Sequence, residues 1–148
     1  TYGRTVGKIH KTILEKLASS APNKIVVLGK LPHERFLKLH ENAWALLFPS
    51  ICEEPLPYVV VESCLLSSLP VATRVGGVPE VVEGTPAERL LFEPRDVEGL
   101  SNKIEMVLSM SREELITSGS RLREMCRRRF DSERIAEAIL NLFTSLQG

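Results

Sequence analysis

The sequence predicts an α/β fold in which a parallel sheet is flanked by helices. Short apolar runs alternate with stretches of helical spacing about 10 to 15 residues long, which is typical of βαβ units. The length of 148 residues suits one domain with one core. No apolar run approaches the roughly 20 residues that a membrane-spanning helix needs, and we therefore expect a cytoplasmic protein.

Four short, mostly apolar runs predict buried parallel strands. They are residues 24–28, 44–48, 70–73 and 89–92. Before the first run, apolar residues recur at helical spacing from Ile9 to Leu17. After it, Pro32 marks a helix start, and Phe36 and His40 lie on the apolar face of that helix.

The chain after Asp96 is predicted to be helical to its end. Asp96 can cap a helix that ends near Met110, because its carboxylate accepts hydrogen bonds from the first free N–H groups of a helix. Ser111 and Glu114 have the spacing of a capping box. Asp131 can cap the last helix in the same way as Asp96.

The charge distribution excludes a protein that binds nucleic acid non-specifically. Lys plus Arg and Asp plus Glu both number 19, so no overall positive field attracts a polyanion. Residues 51–100 nevertheless contain nine acidic and only three basic side chains. This acidic segment suits the binding of hydroxyl groups better than the binding of phosphate by cationic side chains.

The cysteines and aspartates predict neither disulfides nor a metal site. Cys52, Cys64 and Cys126 are odd in number and have no CxxC spacing, which favours reduced thiols. Aspartate occurs only at positions 96 and 131, so no DxD pair can hold a divalent ion. We therefore expect neither a metal ion nor another cofactor.

The segment from Pro49 to Glu83 contains the candidate site. Its loops Ser50–Pro57 and Val75–Pro79 each follow a predicted strand. Because ligands bind at the carboxyl ends of parallel strands, the two loops are predicted to face one crevice.

Two glutamates flank the predicted start of a helix in this segment. If a helix begins at Pro57, Glu54 precedes its amino end and Glu62 lies about 7 Å along its axis. Free N–H groups at such an end attract phosphate, so a sugar nucleotide matches the order of carboxylate, helix end and carboxylate. The residues alone do not decide whether this segment is a helix, because Tyr58–Val61 favours a strand by propensity.

A string within this segment resembles the signature of a known enzyme family. EPLPYVVVESCLLSSLPVATRVGGVPEVVEG is similar to the donor-binding domain of the retaining, nucleotide-sugar-dependent glycosyltransferases of the GT-B class, glycosyl transferases group 1. That domain has two glutamates separated by seven residues, a helix of small residues, a PVVAT-like strand and a GGxPE loop. KIVVLGKLP, LHENAWALLFPS and LLFEPRDVEGL stand where that domain would have counterparts.

The resemblance implies the Rossmann-like, carboxyl-terminal half of a GT-B enzyme that transfers a hexose from a UDP- or GDP-sugar, with retention and without metal. Under it, Glu54 would be the catalytic residue that contacts the donor sugar, and Glu62 would bind the ribose hydroxyls. The other implied donor-binding residues are Ser50, Leu56, Tyr58, Val59, Gly29, Lys30, Leu31, Gly76 and Gly77. Because Pro55 and Pro57 lack N–H groups, the backbone donors near the helix start must be those of residues 56, 58 and 59.

The sequence also departs from the family pattern. Pro57 stands where a small residue is usual. The first βα unit, with its Gly-Arg and Lys for the diphosphate, has no counterpart, because only 26 positions separate Gly3 from Gly29 and no strand is predicted before the one at residues 24–28. We therefore expect residues 1–148 to be a partial domain that is inactive without an amino-terminal acceptor domain. Its sheet would have an open edge that favours self-association, unless residues before Thr1 complete the sheet.

Several residues are predicted to have no part in donor binding. Glu53 is expected to be solvated and Cys52 to be packed. The run Arg127–Arg129 suits a solvated helix end, with contact to anionic lipid in the full-length protein as the alternative. Gly76 and Gly77 have a second interpretation as turn residues alone. The isolated histidines are expected to be at the surface or half-buried: His10, His33 and His40.

The sequence leaves two alternatives to a glycosyltransferase half. One is a non-catalytic nucleotide-binding or interaction module with the same fold. The other is a sugar-nucleotide epimerase or phosphorylase of the same architecture. Nucleotide binding would distinguish the transferase from the non-catalytic module, and sequence before Thr1 would distinguish both from the third class.

Overall fold

The chain is described by a computed structural model over residues 2–21 and 24–146, with side chains from residue 11 onward. The described residues form two compact units that divide between Arg35 and Phe36. The first unit contains α1 (Tyr2–Ser20) and the irregular segment 24–31. The helix α2 (His33–Glu41) crosses the boundary, and the remaining elements belong to the second unit.

A parallel sheet of three strands forms the centre of the second unit, in the part of the chain that the structure describes. The strands are β1 (Ala45–Phe48), β2 (Leu69–Thr73) and β3 (Leu91–Phe92), in that order across the sheet. All of β2 is buried, because it has a neighbour on each edge and helices pack over it. The predicted α/β fold with a parallel sheet flanked by helices is therefore confirmed.

Helices connect and cover these strands. They are α3 (Tyr58–Leu65), α4 (Val78–Val82), α5 (Val97–Leu108), α6 (Arg112–Arg129) and α7 (Ser132–Ser145). The helix α3 joins β1 to β2, α4 and a 3₁₀ turn join β2 to β3, and α6 packs on α3 and β2. None of the helices in the described ranges is long and apolar enough to cross a membrane.

Most of the predicted elements are confirmed. The runs at residues 44–48, 70–73 and 89–92 coincide with the three strands, although β2 begins one residue earlier than predicted, at Leu69. Asp96 accepts a hydrogen bond from the N–H of Gly99 at 2.8 Å, and Asp131 accepts one from the N–H of Arg134 at 3.0 Å. Ser111 begins α6 with a complete capping box.

The strand predicted at residues 24–28 is wrong, because the described residues of this segment have no strand. A strand exists only where the backbone of a neighbour pairs with it, and an apolar composition does not supply that neighbour. Ile25, Val26 and Leu28 are exposed, which is the opposite of what a buried parallel strand requires.

Residues 127–129 form the exposed end of α6, as predicted, and the guanidinium of Arg129 also contacts the end of α4. Its Nη1 donates to the carbonyl oxygens of Glu80 and Val81 at 2.7 and 2.8 Å, and Nη2 donates to that of Glu83 at 2.8 Å. A helix leaves its last carbonyl groups without N–H partners. The last residue of α6 therefore holds α4 in place.

We expect Arg129→Ala to lower the free energy of unfolding by about 2 kcal/mol, because three carbonyl groups lose a charged hydrogen-bond donor. Arg128→Ala is the matched control, since Arg128 pairs with Glu124 at 2.8 Å on the surface of α6, and such pairs contribute little. Urea denaturation measures both variants. Equal losses would show that the contact with α4 does not stabilise the chain.

Candidate functional site

Two loops lie against each other at the carboxyl edge of the sheet. We call residues 50–57, after β1, the carboxylate loop, and residues 74–77, after β2, the glycine loop. The N–H of Gly77 donates to the carbonyl oxygen of Glu54 at 2.9 Å. The hydroxyl of Thr73 donates to the carbonyl oxygen of Ser50 at 2.6 Å. The prediction that these loops come together is therefore confirmed.

Gly76 and Gly77 permit this contact because they have no side chains. A Cβ on Gly77 would overlap the carbonyl oxygen of Pro55, and a Cβ on Gly76 would overlap the backbone of Glu54. Gly76 also has a φ of +49°, which residues with side chains disfavour. Packing between the loops explains why residues 76 and 77 are glycines. Their contact with a donor stays a prediction.

The helix α3 begins directly after the carboxylate loop, so the helical interpretation of this segment is confirmed. Pro57 is the buried N-cap and provides no side-chain cap. The first N–H groups of a helix have no intrahelical acceptor, which leaves those of Tyr58 and Val59 directed out of the helix end. The β-favouring run is helical because Val60 and Val61 are buried in the core, and packing overrides propensity.

The two predicted carboxylates occupy different environments. Glu54 is exposed in the carboxylate loop, whereas Glu62 is half-buried in the second turn of α3. Leu56 and Tyr58 are exposed beside the start of this helix. A rigid helix therefore positions Glu62, and the contact between the loops positions Glu54.

The remaining predicted donor-binding residues divide between the two units. Ser50 uses its hydroxyl within the carboxylate loop, where it accepts a hydrogen bond from the N–H of Cys52 at 3.1 Å. Gly29, Lys30 and Leu31 belong to the first unit. Their role in donor binding stays a prediction.

Glu53 is exposed, as expected of a solvated residue, and it also has a specific partner. Its carboxylate oxygen Oε2 accepts a hydrogen bond from the N–H of Gly76 at 2.5 Å. The sequence carries no signal for this contact, because 23 residues separate the partners. Glu53 therefore adds a side-chain bond to the contact between the two loops.

His40 is buried, contrary to the expectation of a surface or half-buried residue. It is only 6% exposed, and its ring centroid lies 4.5 Å from that of Phe36. Its Nδ1 has no hydrogen-bond partner among the described residues. Burial lowers the pKa of His40, and the negative charge of Glu62 acts in the opposite direction. His33 is exposed as expected, and the side chain of His10 lies outside the described residues.

The cysteines are free thiols, as the sequence predicts. Cys64 and Cys126 are buried, and hydrogen bonding between these thiols together with burial raises the pKa of Cys64. Cys52 is exposed, so the expectation that it is packed is wrong. Among the described residues, no group of three His, Cys, Asp or Glu is arranged to hold a metal ion.

Two cavities of the second unit lie away from this edge. One of about 540 Å³ has Thr85, Arg89 and Arg121 among its lining residues. Another of about 540 Å³ is lined in part by Trp44 and Leu66, which precede β1 and β2 and therefore mark the opposite end of the sheet. Neither of these two cavities is lined by a residue of the two loops.

A parallel sheet flanked by helices, with two loops in contact at its carboxyl edge, is typical of a Rossmann-like α/β domain. Residues 6–127 match the family model of the glycosyl transferases group 1. Because the match covers most of the chain, the chain belongs to this family. The resemblance to the glycosyl transferases group 1 is thereby confirmed at the level of the family.

The fold is also similar to a solved structure. Sucrose-phosphate synthase from Thermosynechococcus elongatus matches 93% of this chain with 26% sequence identity and a TM-score of 0.74. The chain spans 34% of the length of that protein. Comparison with curated proteins gave no match.

We expect Gly77→Ala to lower the free energy of unfolding by about 2 kcal/mol or more, because the new Cβ forces the loops apart. Gly84→Ala is the matched control. Gly84 has a φ of +69°, but a Cβ there would meet only Cε of Met125, at 3.9 Å. The control should lose about 1 kcal/mol from backbone strain alone. Urea denaturation compares them, and a smaller loss at Gly77 would contradict the steric explanation.

The burial of His40 predicts a loss of stability at acidic pH. Its lowered pKa means that the unfolded chain binds a proton more readily than the folded chain. The free energy of unfolding should therefore fall as the pH decreases below about 6.5, the ordinary histidine value. His40→Leu should show a weaker dependence on pH than the wild type. Urea denaturation across this range tests the assignment, which fails if His40→Leu retains the full dependence.

Proposed function

We propose that this chain is the donor-binding, carboxyl-terminal half of a retaining GT-B glycosyltransferase that transfers a sugar from a nucleotide-sugar to an acceptor. The observation that carries the proposal is the position of Glu54 and Glu62 on either side of the start of α3, where the two loops meet. Membership of the glycosyl transferases group 1 supports glycosyl transfer. In this proposal a second domain supplies the acceptor site.

Glu62 would bind the ribose of the donor. An ionised carboxylate only accepts hydrogen bonds, and its two oxygens can accept from two vicinal hydroxyl groups. Glu62 lies in the second turn of α3, and the residues on either side of it, Val61 and Ser63, are buried. Its backbone is therefore held firmly, as selective recognition of two adjacent hydroxyls requires.

Glu54 would contact the sugar and stabilise positive charge that develops at the anomeric carbon during transfer. An oriented carboxylate stabilises a transition state only if it does not have to reorganise when the charge appears. The bond from Gly77 to the carbonyl oxygen of Glu54 anchors the loop at this residue. Its exposed side chain is then free to meet a ligand at the edge of the sheet.

The start of α3 would bind the diphosphate. Its first N–H groups have no acceptor within the helix, and the helix dipole favours an anion at this end. The N–H groups of Gly76 and Gly77 are bonded to Glu53 and Glu54, which makes Tyr58 and Val59 the better phosphate donors. We propose that this helix end acts without a metal ion, because neither loop contains an aspartate.

We expect Glu62→Ala to weaken the binding of nucleoside diphosphates more than about tenfold, because one charged hydrogen-bonding group is lost. Glu54→Ala should weaken the binding of nucleotide-sugars while leaving that of the diphosphates unchanged. Calorimetry with UDP, GDP and ADP and their glucose or mannose forms measures both effects and identifies the base. Glu105→Ala, which removes an exposed carboxylate from α5, is the control.

Two outcomes would contradict the proposal. Unchanged diphosphate affinity in Glu62→Ala would remove the ribose role of this residue. Equal losses for a diphosphate and its sugar form in Glu54→Ala would show that this residue does not contact the sugar. If no nucleotide of the panel binds the wild-type chain, the non-catalytic interaction module becomes the better interpretation.

A further inference from the structure

Three hydrogen bonds connect the carboxylate loop to β2 and the glycine loop, and one of them uses a side chain of the carboxylate loop. Two are donated to backbone oxygens, from Thr73 to Ser50 and from Gly77 to Glu54. The third is donated by the N–H of Gly76 to the carboxylate of Glu53 at 2.5 Å. Adjacent residues of one loop thus accept hydrogen bonds from adjacent N–H groups of the other.

This pairing restricts the orientation of the loop at Glu53 and Glu54. A single bond at the carbonyl of Glu54 allows the loop to rotate about that contact. A second bond, made by the neighbouring side chain to the next N–H group, removes that freedom. The bond to an ionised acceptor is also stronger than one between neutral groups. The direction in which the Glu54 side chain leaves the loop is therefore set by both bonds.

We propose that Glu53 is a positioning residue that aligns Glu54 with the donor sugar through its bond to Gly76. This inference rests on the proposed function, in which Glu54 contacts the sugar. Glu53 and Gly76 are both exposed, so their bond contributes little to the packing of the core. Loss of the bond should therefore change the contact with the sugar more than the stability of the chain.

A different role would have the opposite consequence. The carboxylate of Glu53 accepts the hydrogen bond of the Gly76 N–H. Without Glu53, this N–H group could donate to an oxygen of the sugar nucleotide. If Glu53 served to block that group, its removal would strengthen donor binding. The sign of the change in affinity therefore distinguishes positioning from blocking.

The test compares UDP-glucose, GDP-mannose and ADP-glucose with their diphosphates, by ligand-observed NMR and calorimetry on the 148-residue chain. The nucleotide-sugar that the wild-type chain binds most tightly is used for the variants. Glu53→Ala should weaken its binding about tenfold and leave the affinity for the corresponding diphosphate within about twofold, since only the sugar contact is misaligned. Glu53→Gln retains a carbonyl acceptor and should restore most of the affinity. Glu105→Ala should match the wild type, and the unfolding midpoint of each variant serves as the control for folding.

A double variant separates positioning from direct contact. If Glu53 acts through Glu54, Glu53→Ala should cause no additional loss in the Glu54→Ala background. An additional loss there, an unchanged affinity in Glu53→Ala or a stronger affinity would overturn the inference. With Glu62→Ala still weakening the diphosphate, any of these results would leave the proposed function intact. If the wild-type chain binds no nucleotide of the panel, both the proposed function and this inference are overturned.

Discussion

The candidate site depends on the close approach of two backbone segments at the carboxyl edge of the sheet. The parallel register pairs Phe48 with Ala72, so β1 and β2 end at the same level and their loops begin side by side. The absence of side chains at Gly76 and Gly77 then lets the glycine loop lie directly on the backbone of residues 54 and 55. The position of Glu54 and the start of α3 both follow from this contact.

Features determined by neighbouring residues could be predicted from the sequence. Asp96, Ser111 and Asp131 cap their helices, because a cap needs only an acceptor side chain and the N–H groups two or three residues later. The strands at residues 45–48 and 69–73 were predicted, to within one residue at their starts, because each is a short apolar run in the sequence. The approach of the two loops could be inferred because parallel strands place their carboxyl ends together.

Features determined by residues far apart in sequence could not be predicted. Glu53 and Gly76 are 23 residues apart, and Arg129 contacts carbonyl groups up to 49 residues away. Neither contact leaves a pattern in composition or spacing. The same limit explains the error at residues 24–28, where an apolar run says nothing about the presence of a neighbour. His40 is an intermediate case, since its helical spacing from Phe36 indicated the buried face, whereas its residue type suggested the surface.

The contact of Arg129 with α4 has a consequence for the order in which the chain is completed during synthesis. The helix α4 follows directly on the glycine loop, yet the guanidinium that closes its end comes 47 residues after Val82. While the ribosome still holds that part of α6, the carbonyl groups of Glu80, Val81 and Glu83 have no such partner. The sheet can form first. The glycine loop, which contacts Glu54, precedes α4, and α4 gains its contact with Arg129 only when nearly the whole of α6 has emerged.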